Sequence, residues 1–302
     1  MHKVLITGGT GLIGTRLTEM LLTKGYLIHY LGREKREWRD ERIKSFVWNI
    51  EKGKVDKAAF DGVETVIHLA GAGVADKRWT PARKKEIMDS RVLSGNIIYK
   101  FLKTNAHQVK TFISASAVGY YGDCADEIII EEHKPGKDFL ATVCKKWEMA
   151  AIKIGELGIR ELRCRIGIVL ARNGGALPEL TKTLSLGFAT YFSKQPLYYP
   201  WVNLDDVCGV MIYGLENTKL HGPYNTTAPT ALPMKTLMQE IVKVKNTGAI
   251  LLPAPAFAIK IGLGEMSEAV LNSQRCSAGK LLSAGYKFAF ADEKQALKNV
   301  LS

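Results

Sequence analysis

The stretch Val4-Leu5-Ile6-Thr7-Gly8-Gly9-Thr10-Gly11-Leu12-Ile13-Gly14 constrains this chain more than any other. An apolar run stops at glycines and a helical pattern follows at once, which reads as strand, turn, helix. Gly9, Gly11 and Gly14 satisfy GxGxxG spacing, and Gly8, Gly11 and Gly14 the related GxxGxxG. Glycines there let the backbone turn sharply and come close to a diphosphate, while Gly14 lets helix and strand pack tightly. A helix opening near Gly11 aims the unpaired amides of Leu12 and Ile13, and its positive dipole end, at the phosphates. Thr7 to Gly14 is therefore expected to hold a dinucleotide.

The surrounding sequence supplies the context such a motif needs. Leu17, Met20 and Leu21 continue the helical spacing, Gly25 ends it, and a second β-prone run covers 26–31, the distance one βαβ unit requires. That run ends His29-Tyr30-Leu31-Gly32-Arg33. An acid at this tip would hold a ribose 2′-hydroxyl, whereas a base suits a 2′-phosphate, so Arg33 points to NADP(H) rather than NAD(H). The plainer alternative is a surface arginine opening a loop, since Glu34 follows it.

Further strands are expected at 46–48, at 65–71 and at 109–114. The second of these ends in Leu69-Ala70-Gly71, small enough at the carboxyl end of a parallel strand to leave room for ribose and phosphate. His68 lies inside this strand and reads as a satisfied core group. Thr80-Pro81 is a helix cap followed by proline at the first helical position, and that helix runs toward Lys103 with Asp89, Ser90 and Arg91 near its middle. The fifth strand delivers Ser114, Ser116, Tyr120 and Tyr121 to the same edge, where hydroxyls can bond a substrate oxygen.

With 302 residues the chain suits one α/β unit with a smaller lobe. A hydrophobic fraction of 46% beside 24% charged residues excludes a disordered or fibrous class. The apolar stretch 249–264 is broken by Pro253, Pro255 and Lys260, so no membrane partner is expected, and the reading is cytoplasmic. Five scattered cysteines form no CxxC pair and the histidines no ligand pattern, so neither a disulfide framework nor a metal is expected. The net charge of +12 raises nucleic acid as a partner. Its densest basic segment, 33–44, mixes six bases with four acids, as a solvated surface does, and the expectation is no nucleic acid.

Taken together, Thr7 to Gly14, Val66 to Gly71, Ser114 to Gly122 and Trp201-Val202-Asn203-Leu204-Asp205-Asp206-Val207 resemble the extended short-chain dehydrogenase/reductases, which include nucleotide-sugar epimerases. Arg78-Trp79-Thr80-Pro81, Arg172-Asn173-Gly174-Gly175 and Lys145-Lys146-Trp147-Glu148 narrow the resemblance to an atypical branch labelled "epimerase family protein". The last third, 251–301, looks like that branch's own C-terminal module. The resemblance implies a Rossmann-type doubly wound parallel sheet of the α/β class with a smaller C-terminal substrate lobe. The dinucleotide domain is expected at 1–165 and 201–225, and the lobe at 166–200 and 226–302. It also implies that Ile166, at the exit of the sixth strand, touches the nicotinamide end.

The wider family works with a tyrosine and a lysine at i and i+4, on one helix face. Aligning Glu148 with the family's downstream glutamate puts Leu140 and Cys144 in those places. Leucine has no proton to exchange, and cysteine brings no cation at neutral pH. Ser116 is then the lead candidate to bond substrate, with Ser114 its alternative; Tyr120 and Tyr121 are candidate acids, and Arg91 a candidate oxyanion donor. Each also has a bland reading: a capping serine, solvated tyrosines, or an arginine paired with Asp89 or Glu86. The leading function is a redox enzyme moving a hydride on a carbonyl or hydroxyl small molecule, a nucleotide sugar among the candidates. The alternative is a non-catalytic NADP(H)-sensing regulatory protein.

Overall fold

The computed structural model describes residues 2–193 and 197–301; of the spans expected above, Met1, 194–196 and Ser302 lie outside the described residues. Its backbone divides into two compact units. The first comprises Met1–Ser116, Val143–Cys164 and Cys208–Pro223, and the second Ala117–Thr142, Arg165–Val207 and Tyr224–Ser302.

The large sheet has eight strands: β1 (Lys3–Thr7), β2 (Leu27–Gly32), β3 (Ile43–Asn49), β4 (Lys54–Val55), β5 (Thr65–His68), β6 (Thr111–Ala117), β7 (Arg160–Ile166) and β8 (Gly222–Thr226). Their order across the sheet is β8-β7-β6-β5-β1-β2-β3-β4. The pairs β1–β2, β1–β5, β2–β3 and β5–β6 are parallel, and β4 returns antiparallel on β3. Order reverses between β1 and β5, and in sheets of this kind ligands lie beyond the carboxyl ends at such a reversal. This is the doubly wound α/β architecture.

Chemistry in the sequence explains the elements. β1 and β5 are buried almost throughout, as strands covered on both faces must be. Helix α1 (Leu12–Thr23) buries Leu17 and Leu21. Helix α2 (Pro81–Thr104) opens as expected, with the Thr80 hydroxyl accepting from the Arg83 amide at 3.2 Å and proline in the first turn. Helix α3 (Phe139–Gly155) turns Val143, Trp147, Ala151 and Ile154 into the core. A core of Leu5, Leu31, Val66, Ile98, Phe101, Phe112 and Ile154 fills the space against the sheet.

Two features matter for the site, and the first departs from the sequence reading. β6 runs three residues beyond the expected strand end, so Ser116 lies within the strand. Helix α4 (Leu204–Glu216) is capped by Asn203, whose Oδ1 accepts from the Asp205 amide at 2.8 Å. Asp206 accepts from the amides of Ala289 and Phe290 and from the Tyr286 hydroxyl.

The second unit has its own core, built from Tyr199, Trp201, Leu237, Met238, Ile241, Leu297 and Val300. Helices α5 (Met234–Lys245) and α6 (Glu293–Leu301) contribute to it. The aromatic cluster Tyr191, Phe192, Tyr199 and Trp201 packs into or against this core. Arg275–Cys276 pairs in parallel with Ile128–Ile129, which stitches the C-terminal segment into the unit. Among the described residues no helix is long and apolar enough to cross a membrane.

Candidate functional site

Sheet register sets one level across the carboxyl edge of the first unit. Leu31 lies opposite Thr7, Thr7 opposite His68, and His68 opposite Ser114. One step beyond this row stand Gly32, Gly8, Leu69 and Ala115. The pairing therefore brings to one rim the segments that the sequence singled out: the glycine turn, Arg33, Leu69 to Gly71, and Ser114 with Ser116.

The glycines of the turn differ in what demands them. Gly8 has φ +69, a left-handed conformation that favours glycine, and a Cβ there would lie 2.9 Å from the Leu69 and Ala70 backbone. A Cβ at Gly9 would strike the Tyr30 ring, and one at Gly14 the Gly8 and Gly9 backbone. Gly11 is another matter. Its φ is −81, and a Cβ would meet only Gly8 O, at 3.4 Å, so nothing in the chain requires glycine there. What its missing side chain leaves is open space at the start of α1, where no side chain caps the free amides. An uncapped helix start behind a cleared approach fits a diphosphate. Arg33 is exposed and makes no hydrogen bond or ion pair among the described residues, leaving its guanidinium available to a phosphate.

Thr7, also a candidate, is spent on holding the rim. Its hydroxyl accepts from the Leu69 and Ala70 amides, each at 3.2 Å, and meets His68 Nδ1 at 2.7 Å. Ser94 Oγ donates to the Ser90 carbonyl and stands 3.2 Å from His68 Nε2. The arrangement closes if Thr7 donates to Nδ1 and a neutral ring donates from Nε2 to Ser94. Burial and the nearby Arg91 charge agree, pushing the His68 pKa down to about 3.

Ser116 donates to Glu148 Oε1 at 2.7 Å, and both are buried. Arg163 holds the other carboxylate oxygen, Oε2, at 3.1 Å while gripping Glu161 with its remaining nitrogens. With its proton directed to Glu148, the Ser116 oxygen keeps lone pairs for a hydroxyl donor. Ser114, by contrast, donates to the neighbouring Ala115 carbonyl. Glu148 is the residue that sequence reasoning missed as chemistry, having used it only as a landmark. The available signal was a carboxylate on the same helical face as Trp147 and Ala151, where an acid needs a partner.

Arg91 is buried on α2 and pairs with neither predicted acid, because Asp89 takes Lys85 and Glu86 takes Arg83. Cys144 is buried on α3, and Leu140, half-buried, opens that helix. The remaining candidates belong to the second unit. Tyr121 donates to Asn225 Oδ1 at 2.6 Å and accepts from Arg165 at 2.8 Å, and burial raises its pKa. The Tyr120 ring lies 3.6 Å from the Arg165 guanidinium carbon, and its hydroxyl has no partner among the described residues. Ile166 ends β7 and is buried. A cavity of about 240 Å³ in this unit, lined by Arg172, Leu177, Lys245 and Val300 among others, includes no candidate residue. No group of metal-binding side chains occurs among the described residues.

A model of the NAD dependent epimerase/dehydratase family matches residues 4–142, and a domain of unknown function, DUF1731, matches residues 254–300. The epimerase family protein SAB0724c of Staphylococcus aureus (strain bovine RF122 / ET3-1) is 31% identical over 313 residues, with 100% of each chain covered. Among solved structures, the human epimerase family protein SDR39U1 (isoform 2), crystallised with NADPH, is similar with a TM-score of 0.86 at 24% identity. That match covers 99% of this chain and 98% of the human one. A nucleoside-diphosphate sugar epimerase from Corynebacterium glutamicum gives a TM-score of 0.80 at 29% identity, covering 99% of this chain and 58% of the other.

Proposed function

The chain belongs to the epimerase family proteins, and from that membership we propose that it binds NADP(H) on the carboxyl rim of the large sheet and acts as an oxidoreductase or epimerase-like enzyme on a carbonyl or hydroxyl small molecule. The observation that carries the reading is the cleared, uncapped start of α1 at Gly11. In this reading the first unit holds the dinucleotide: the backbone from Thr7 to Gly14 and at Leu69 to Gly71 lines it, and Arg33 takes the 2′-phosphate. The second unit serves as the substrate lobe. The family description, NAD dependent, and the human protein's NADPH support a pyridine nucleotide as the cofactor, and the Corynebacterium protein's name supports a sugar nucleotide as one substrate class.

NADP(H), when bound, would take up the hydride of a carbinol in the oxidative direction and supply it in the reductive one. The chain's own task is the proton. A substrate carbinol donates its O–H to Ser116 Oγ as that hydroxyl passes its proton to Glu148 Oε1; in the reductive direction both transfers reverse. Arg163 keeps Glu148 oriented between turnovers. This relay needs neither a tyrosine at 140 nor a lysine at 144. Steady NADPH consumption over a panel of aldehydes, ketones and sugar nucleotides is the test. Ser116→Ala and Glu148→Gln are each expected to lower it about a hundredfold or more, with NADPH affinity retained. Full activity in both variants would contradict the relay.

Leu140 and Cys144 favour a second reading, an NADP(H) sensor without turnover. It predicts NADPH binding with a silent panel, and any sustained turnover removes it.

A further inference from the structure

Arg91 is 9% exposed, yet its positive charge has no carboxylate opposite it. Nη1 is committed to two neutral acceptors, the Ala72 carbonyl at 2.9 Å and the Ile87 carbonyl at 3.1 Å. The charge-bearing neighbours acting on it are Cys144 and Arg83, a thiol and a second cation. Asp89, Glu86 and Asp76 are turned to Lys85 and Arg83. Nε and Nη2 find no acceptor among the described residues. The guanidinium packs on Gly71, where a Cβ would come within 2.9 Å of its carbon, and lies 4.9 Å from the Trp147 ring centroid. Trp147 is itself buried, and its indole N–H also lacks an acceptor among the described residues. The cluster thus offers donors and a positive charge, and no acceptor of its own to meet them.

Burying a cation without a counterion is among the costlier things a fold can do. Carbonyls and a ring face offset part of that cost and leave the fork of the guanidinium unused. The place is telling, because Gly71 and Ala72 belong to the loop after β5, beside the reversal of strand order. We propose that Arg91 receives an anionic oxygen of a ligand, phosphate or carboxylate, at the loop following β5. The proposal deepens the functional reading above and rests on it only for the edge of the sheet at which the ligand lies. The anion belongs either to the dinucleotide or to a second, anionic ligand such as a phosphorylated substrate.

The test uses the full chain and reads Trp147 emission, taken as the parent signal minus that of Trp147→Phe. NADPH is titrated first, then inorganic pyrophosphate at saturating NADPH, and pyrophosphate is also titrated alone. Arg91→Met is expected to lower affinity roughly tenfold or more in at least one arm, the size of a charge-assisted hydrogen bond. It should do so without lowering the melting temperature of the ligand-free protein. Loss with NADPH assigns the anion to the dinucleotide, and loss with pyrophosphate over NADPH assigns it to the second ligand. Affinities within about twofold of the parent in every arm, or no saturable response of the parent to either probe, overturn the proposal. Absence of NADPH binding alone defeats the functional reading and leaves the pyrophosphate arm to decide on Arg91. Should Arg91→Met not fold, Arg91→Gln, which keeps donors and removes the charge, is judged by the same thresholds.

Discussion

His68 and Arg91 show two ways of burying a titratable side chain in one rim. The imidazole is satisfied as a neutral group by Thr7 and Ser94, whereas the guanidinium stays charged and half-partnered. The imidazole has a consequence for stability. Folded, His68 titrates at about 3; in the unfolded chain it returns to about 6.5. Between those values the unfolded chain holds a proton that the folded protein does not, so stability is full above about pH 6.5 and falls as the pH drops toward 3. At pH 5 the loss from this group is about 2 kcal/mol. Thermal unfolding followed from about pH 7.5 to pH 5 should show a shallower fall in His68→Gln than in the parent. Equal slopes would mean that the ring is not held neutral. His29, whose pKa burial also lowers, adds slope of the same sign and remains in the variant. The histidine's bland role was legible from its place inside a strand. Arg91's lack of an acidic partner was not, because Asp89 and Glu86 are neighbours in sequence and only the folded helix turns them to Lys85 and Arg83.

Elements with a strong local signal were read well. Runs of Val, Ile and Leu punctuated by glycine marked β1, β2 and β5, and Thr80-Pro81 marked the start of α2. Weak or long-range signals were not. β4 is a two-residue return strand of Lys54 and Val55, with no alternation to betray it. The end of β6 is Ser-Ala-Ser-Ala, small residues that read as loop until pairing with neighbours makes them strand. The Ser116–Glu148 bond joins residues 32 apart and depends on where α3 lies against β6. The C-terminal segment looks like a module in sequence, yet the second unit is knitted through it. Gln274 donates to the Val118 and Gly122 carbonyls, Asp206 takes the Ala289 and Phe290 amides, and α6 buries Ala296, Leu297 and Val300. A chain cut after Ala254 should therefore lose the fold of that unit, with new proteolytic cleavage within 165–207 around the now exposed Trp201. An unchanged cleavage pattern would show the segment to be an appendage.

Over the whole molecule, the net charge is +12. Arg33 and Arg91, one exposed and one buried, both stand beside segments that leave β2 and β5 at the carboxyl rim, where an anionic dinucleotide is proposed to lie. Everything proposed for function depends on that rim holding a pyridine nucleotide. Calorimetric titration of the full chain, the Gly11→Ala variant and the Arg33→Ala variant with NADPH and NADH tests this most directly. The account predicts saturable one-site binding that favours NADPH. Gly11→Ala should weaken binding of both nucleotides about tenfold or more while leaving the melting temperature in place, because a methyl there obstructs only the approach to α1. Arg33→Ala should erase the preference for NADPH. No binding of either nucleotide, or a Gly11→Ala variant that binds as tightly as the parent, would contradict it.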